Sequence, residues 1–395
     1  MSFEYVKLGE ISDITKLAGF EFTKYIEYIE DGEIIALRAL NLRKGELDLT
    51  DIKRIDRDVS DTLTRSKLYI NDILLTYTGN GYGDCAMITE NDKYHLAPNI
   101  CKITPDIKKV DPYYLYSYIR SNDFYQEMSG NMTGSSQPTI PMKTIRVLQV
   151  PLPPRDTQEK ISFIIRNIDE KIRITRKIAN NLHEQAYAIF LEEIAQKVNI
   201  PHNWQEGCLN DIANYLNGLA MQKYRPSEDE EGLPVLKIRE LRQGMCDNNS
   251  EKCSPSIKQE YIVKNGDVVF SWSGSLLVDY WCGGECGLNQ HLFKVSSDRF
   301  DSWFYYSWTL FHLEKFIAVA ADKATTMGHI KREELEKAKV MIPDKEEYDR
   351  ISRIIKPLYE LMISSRIVCS RLMEMRDALL PQLLEETLDI GGITI

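Results

Sequence analysis

A chain of 395 residues, 43% hydrophobic and 27% charged, has the length of two to three domains and the composition of a globular rather than a disordered protein. Its formal net charge of -10 argues against indiscriminate gripping of nucleic acid, which needs a positive field, but leaves room for a local basic face. There is no apolar run long enough for a membrane span, Met1-Ser2-Phe3-Glu4-Tyr5 does not resemble a secretory leader, and the eight cysteines are too scattered for a disulfide framework. A soluble, cytoplasmic protein with reduced thiols is the expectation.

Residues 1–152 read as a mixed α/β domain. Short apolar runs at 6–8, 34–37, 73–77 and 100–103 have the length and composition of strands, and 112–120 reads as a short helix. Residues 34–67 carry eight Lys/Arg against six Asp/Glu, a local excess of positive charge that includes Arg38, Arg43 and Lys44. The strand at 73–77 runs into Thr78, Gly79, Asn80, Gly81 and Tyr82, and a second small, polar segment at 130–139 holds Ser135, Ser136 and Gln137 before a helix-like stretch at 141–145 with Lys143. Hydroxyl and amide side chains on loops can donate to and accept from base edges, and glycine lets the backbone approach phosphate.

Residues 153–197 are of another kind. After Asp156 and Glu159, a helix-start signal, apolar or small residues fall at alternating steps of four and three: Ile161, Ile165, Ile168, Ile172, Thr175, Ala179, Leu182, Ala186 and Ile189. That is a heptad seam, and it predicts a coiled-coil helix that closes before Pro201.

Residues 198–343 repeat the order of the first domain, with strands at 235–238, 268–272 and 292–295 and a helix at 303–316. The corresponding loops are Trp272-Ser273-Gly274-Ser275, and 320–329 with Lys323, Thr325 and Thr326, leading to Lys331; Lys237, Arg239 and Arg242 parallel the earlier basic positions. Residues 344–388 give the second seam: Ile351, Ile355, Leu358, Met362, Ser365, Cys369, Leu372, Arg376 and Leu379. Pro357 and Pro381 predict local kinks in it. The two helical segments match at a constant offset of 190, whereas matches in the domains wander, as in Leu37-x5-Arg43-x-Gly45 against Leu236-x5-Arg242-x-Gly244 at 199. Helix length is held while loop length varies. A helix that delivers the chain to a domain whose termini lie close together must be followed by a helix running back, so the pair is expected to be an antiparallel coiled coil with a domain at each end and pseudo-two-fold symmetry.

Catalytic motifs are missing. There is no G-x4-G-K-[ST] phosphate loop and no Asn-Pro-Pro-Tyr or Asp-Pro-Pro-Tyr loop of amino-methyltransferases, and Gly79-Asn80-Gly81-Tyr82-Gly83 lacks the G-x-G-x-x-G spacing of a dinucleotide loop. The six histidines show no metal-ligand spacing, and Cys246, Cys253, Cys282 and Cys286 lack both C-x2-C spacing and a counterpart in the first domain. No catalytic and no metal-ligating residue is assigned.

The chain resembles the specificity subunit of type I restriction-modification enzymes. The carrying residues are Leu152-Pro153-Pro154-x3-Gln158-x2-Ile161, Ile342-Pro343 with Arg350-Ile351, Asp72-Ile-Leu-Leu, Ser135-Ser-Gln-Pro-Thr-Ile140 and Leu288-Asn289-Gln290-His291-Leu292, together with the alternation of variable domain and fixed helix over nearly the whole chain. The resemblance implies two target recognition domains, each reading one half of an asymmetric bipartite sequence in double-stranded DNA, and two spacer helices. It implies that two modification subunits holding S-adenosylmethionine dock on the chain and that restriction subunits using ATP and Mg join them, the chain itself being non-catalytic. Tyr348 stands where the first helix has Gln158, a departure that puts equal docking at the two helices in doubt. The DNA-contact candidates are the loop and basic residues named above. The alternatives are the specificity subunit of a related methyltransferase or nuclease complex, a coiled-coil protein adaptor, and a self-contained nuclease or methyltransferase.

Overall fold

The computed structural model describes residues 3–43, 45–79, 81–132, 138–247, 249–322, 329–384 and 392. The chain forms two compact units, Met1–Glu170 with Glu374–Ile395, and Lys171–Met373. Each unit therefore holds a mixed α/β domain and a stretch of both long helices.

In the first unit a four-stranded antiparallel sheet runs in the order Ser12–Lys16, Ile100–Pro105, Ile73–Thr76, Cys85–Met87. A second sheet places Ile34–Leu37 between Lys53–Ile55, antiparallel, and Tyr94–Leu96, parallel. The central strands are buried at every position, which is why Ile73-Leu-Leu and Ile34-Ile-Ala-Leu read as continuous apolar runs instead of alternating ones. Glu4–Lys7 pairs with Gln149–Leu152, joining the start of the domain to the residues that enter the first long helix.

The second unit repeats this plan. Its main sheet runs Asn214–Asn217, Leu292–Ser296, Val268–Ser271, Leu277–Tyr280; Leu233–Leu236 pairs in parallel with Cys286–Leu288; and Gln205–Cys208 pairs with Lys339–Ile342. Hydrogen bonds repeat as well. Asp72 accepts from the Tyr69 amide at 2.8 Å and Asp267 from the Lys264 amide at 2.7 Å; Lys102 reaches the Lys67 carbonyl at 2.8 Å and Lys294 the Ile262 carbonyl at 2.9 Å. Asp72 of the Asp72-Ile-Leu-Leu motif thus shapes a tight turn before a buried strand. The Leu-x5-Arg-x-Gly motif is likewise a turn: its glycines, Gly45 and Gly244, have φ of 85° and 77°, the left-handed region that L side chains resist.

Several boundaries differ from those expected. The first strand is Glu4–Lys7, and Leu8 opens a helical turn, Leu8–Ile11, whose Leu8 and Ile11 enter the core. The strand expected at 235–238 is Leu233–Leu236, with Ile238 starting a helix. The helix expected at 303–316 is two, Ser302–Phe311 and Leu313–Asp322, broken at His312, whose Nε2 lies 2.8 Å from the Lys339 carbonyl. The helix-like stretches after the second loops are Met142–Ile145 and Glu333–Lys337.

The long helices are Arg155–Phe190, continued by a π-turn at Leu191–Ala195, and Lys345–Leu384, which stays helical through Pro357 and Pro381. Ile161, Ile165, Ile172, Ile351, Ile355, Met362 and Leu372 are buried, and Ile168, Leu182, Ile189, Leu358 and Leu379 are partly buried. In the second unit Arg350 bonds Glu193 at 2.5 Å, while the Cys369 thiol lies against the Ile172 carbonyl. In the first, Arg376 bonds Asp169 at 3.0 Å, and Leu380, Leu383 and Leu384 share a core with Ile161 and Ile165. Falling numbers on one helix meet rising numbers on the other, so the helices pair antiparallel in each unit.

Candidate nucleic-acid interface

The described ends of the two candidate loops meet, and they meet alike in both units. In the first, Thr78 bridges Thr139, the Gly79 amide donates to the Pro138 carbonyl at 3.0 Å, and the Ile140 amide to the Tyr77 carbonyl at 3.0 Å. In the second, Ser273 bridges His329, and the Ile330 amide donates to the Trp272 carbonyl at 3.1 Å. The buried Ile140 and Ile330 pin each second loop to the end of a central strand. Thr78 and Thr139 are thereby held half-buried at the end of one central strand, and Ser273 with the exposed His329 at the end of the other.

The surroundings of the two loop pairs differ. In the first unit Lys16 stands over the Tyr77 ring at 5.4 Å, and burial raises the Tyr77 pKa. Tyr82 stacks on Tyr125 at 5.4 Å between centroids, with their hydroxyls 2.5 Å apart, and a Cβ on Gly83 would come within 2.9 Å of that second ring. In the second unit Asn217 occupies the position of Lys16 and accepts from Trp272 Nε1 at 3.0 Å; Ser273 is buried against His291 Nδ1 at 3.0 Å, while Ser275 is exposed. Lys16 and Asn217 escaped sequence reasoning, because only the strand pairing brings them beside the aromatic residues 55 or more positions away.

The basic candidates divide. Arg38 is held by Asp51 at 2.9 Å, Arg43 by Asp48 at 3.3 Å, Lys237 by Glu251 at 2.7 Å, and Arg239 by Glu240 and Asp247 at 2.6 and 3.1 Å. The Glu240 hydrogen bond raises the Arg239 pKa, and the Lys237 hydrogen bond lowers that of Glu251. Their charge is largely answered within the domain. Lys143 and Lys331 are exposed and form no ion pair among the described residues, and each follows the second loop of its pair. Arg242 is exposed too, but it lines a hollow with Arg176, Asp279, Arg366 and Met373 beside the long helices, away from the loop pair. Lys44, Asn80, Ser135, Ser136, Gln137, Lys323, Thr325 and Thr326 lie outside the described residues.

The motif with the Gln158 to Tyr348 departure joins domain to helix. Gln158 is buried, accepts from the Asp111 amide at 2.8 Å through Oε1 and donates to the Pro153 carbonyl at 2.8 Å. Tyr348 Oη accepts from the equivalent Asp301 amide, also at 2.8 Å. Ser162 then bonds Asp111 as Ser352 bonds Asp301. Different side chains supply the same acceptor, so the departure preserves an internal clamp. Cys246 and Cys286 share one core cluster, Cys253 lies in another, and Cys282 faces the Tyr280 carbonyl; among the described residues no group of three or more His, Cys, Asp or Glu is placed to hold a metal ion. Nor is any described helix long and apolar enough to cross a membrane.

Comparison with known proteins places this geometry in a family. Residues 2–184 and 201–366 each match the type I restriction modification DNA specificity domain. The type I restriction enzyme MjaIX specificity subunit of Methanocaldococcus jannaschii is 22% identical over 300 residues, covering 69% of this chain and 67% of that one. The EcoKI specificity subunit of Escherichia coli K12 is 21% identical over 306 residues, covering 70% of this chain and 63% of the relative. The crystal structure of the type I restriction-modification S subunit from M. genitalium shares the fold at a TM-score of 0.53 and 15% identity, with 97% of this chain and 96% of that one covered. With two matches that together cover most of its length, the chain belongs to the type I restriction-modification DNA specificity family.

Proposed function

We propose that the chain is the DNA-reading, non-catalytic subunit of a cytoplasmic type I restriction-modification complex, each unit reading one half of an asymmetric bipartite target. The observation that carries this reading is the repeated loop pair, locked to a strand end in both units with an unpaired lysine beside it. Loop side chains differ between the units, Thr78 and Thr139 against Ser273 and His329, so the two half-sites differ. Base-edge contacts specify and lysine–phosphate contacts position.

Two modification subunits holding S-adenosylmethionine would supply methyl transfer, and restriction subunits using ATP and Mg would supply cleavage. In the second unit Ile354, Leu361 and Val368 recur every seven residues on the second long helix and are 42–54% exposed, an apolar stripe suited to partner helices. The test is methyl transfer to duplex DNA with tritiated S-adenosylmethionine. The chain with its modification subunits should methylate one bipartite sequence, and neither component alone should do so. Transfer by the chain alone, or sequence-specific transfer without it, would overturn the proposal.

A further inference from the structure

Beside the loop pair of the second unit lies a cavity of about 330 Å³ lined by Asn217, Trp272, Phe293, His329, Ile330, Lys331 and Arg332. Its volume falls at the low end of small-molecule sites, roughly 300–1,000 Å³. Trp272 is only partly buried although three rings surround it: Phe293 at 5.8 Å, His329 at 6.2 Å and edge-on, and His291 at 6.3 Å. Trp272 Nε1 is spent on Asn217 Oδ1, which leaves the Asn217 amide nitrogen without a partner among the described residues. Arg332 stands 5.8 Å over Phe293 while donating to the Tyr215 carbonyl at 3.3 Å, and Lys331 is exposed at the rim.

An aromatic wall, an amide donor and a rim cation are the groups that recognise a nucleobase carrying a phosphate. Aromatic rings stack any base, an amide bonds its edge, and an ammonium meets its phosphate. A base stacked inside a duplex cannot enter a cavity, so the occupant must be unstacked. We propose that this cavity receives one base extruded from the half-site read by the second unit. The inference rests on the DNA-reading proposal above. It adds that one position of that half-site is read out of the helix, while the first unit, with Lys16 over Tyr77, has no such assignment.

The experiment uses the full chain assembled with its modification subunits and duplexes carrying the methylated target. Each nucleotide of the half-site assigned to the second unit is replaced in turn by an abasic residue, and affinities are measured for the wild type, Trp272→Ala, Trp272→Phe and Lys331→Ala. At one position, Trp272→Ala should lose at least about five-fold in affinity on intact DNA and nothing on the abasic duplex, in keeping with the usual worth of base–aromatic stacking. Trp272→Phe should retain most of the binding, and Lys331→Ala should weaken intact and abasic duplexes alike. Equal losses for Trp272→Ala on every duplex, with specific binding otherwise present, overturn the inference. A second arm titrates the complex with the four deoxynucleoside 5′-monophosphates. Tight binding of one that the target duplex does not displace would make the occupant a free nucleotide and also overturn it. Absence of any specific duplex binding would instead refute the underlying DNA-reading proposal.

Discussion

Asp169 shows what a single residue contributes in this protein. Its carboxylate accepts from the Tyr113 hydroxyl at 2.7 Å, Arg120 at 2.6 Å and Arg376 at 3.0 Å, and its side chain is only 16% exposed. Burial alone would raise its pKa, but Arg120 and the other donors outweigh that, and the net shift is downward. A depressed carboxylate pKa adds stability that is present above the unfolded value, about 3.9, and is lost as pH falls through the lower folded value. Asp169→Ala should leave the buried Arg120 without a carboxylate partner, Arg376 keeping Asp377, and cost about 3–5 kcal/mol in chemical unfolding. The variant should also lose less stability than the wild type below about pH 4; an unchanged acid limb would contradict this account. Arg376 is the one charged residue among the seam positions. Besides its neighbour Asp377 it bonds Asp169, 207 positions away, a contact that only the fold explains. The same limit applies to the basic candidates: Arg239 and Lys143 look alike in sequence, and only the structure shows that Glu240 and Asp247 hold the first. Lys143→Ala and Lys331→Ala should each reduce the slope of log affinity against log salt by about 0.9, whereas Arg239→Ala should leave it unchanged. Equal slopes for all three would remove the distinction.

At the scale of elements, the heptad steps made the long helices legible, because burial of one face imposes that period. Their additional anchors were less so. Tyr359, Phe190 and Leu380 are buried beside the seam positions, where a two-residue-per-heptad pattern does not look. The period predicts a contrast between neighbours. Met362→Ala, at a fully buried seam position, should cost about 2–5 kcal/mol in unfolding. Leu361→Ser, at a position 54% exposed, should change stability by no more than about 0.5 kcal/mol but weaken assembly with modification subunits in sedimentation. The domain-to-helix clamp was hidden by chemistry. Gln158 and Tyr348 share nothing in a substitution sense, yet each offers an oxygen to an aspartate amide at a helix start. Tyr348→Phe removes that acceptor from a partly buried amide and should destabilise the second unit by about 1–3 kcal/mol. The two-helix break at His312 escaped prediction because apolar residues recur on both sides of it and no Gly or Pro marks it.

For the whole molecule, duplication is the organising fact. Two domains match one family description, and they share sheet order, the Asp72/Asp267 turn, the Lys102/Lys294 bond and the paired loops. What they do not share is the chemistry around the loops: a Tyr82–Tyr125 stack beside one pair and the Trp272 cavity beside the other. On the proposed function, an acidic chain would need few cations of its own if partner subunits supplied the rest of the phosphate contacts. The most direct measurement is selection of bound duplexes from a randomised library by the chain assembled with its modification subunits. Two short specified segments of different sequence, separated by a fixed unspecified interval, are the predicted outcome. A single uninterrupted motif, or two identical segments, would contradict the assignment of one distinct half-site to each unit.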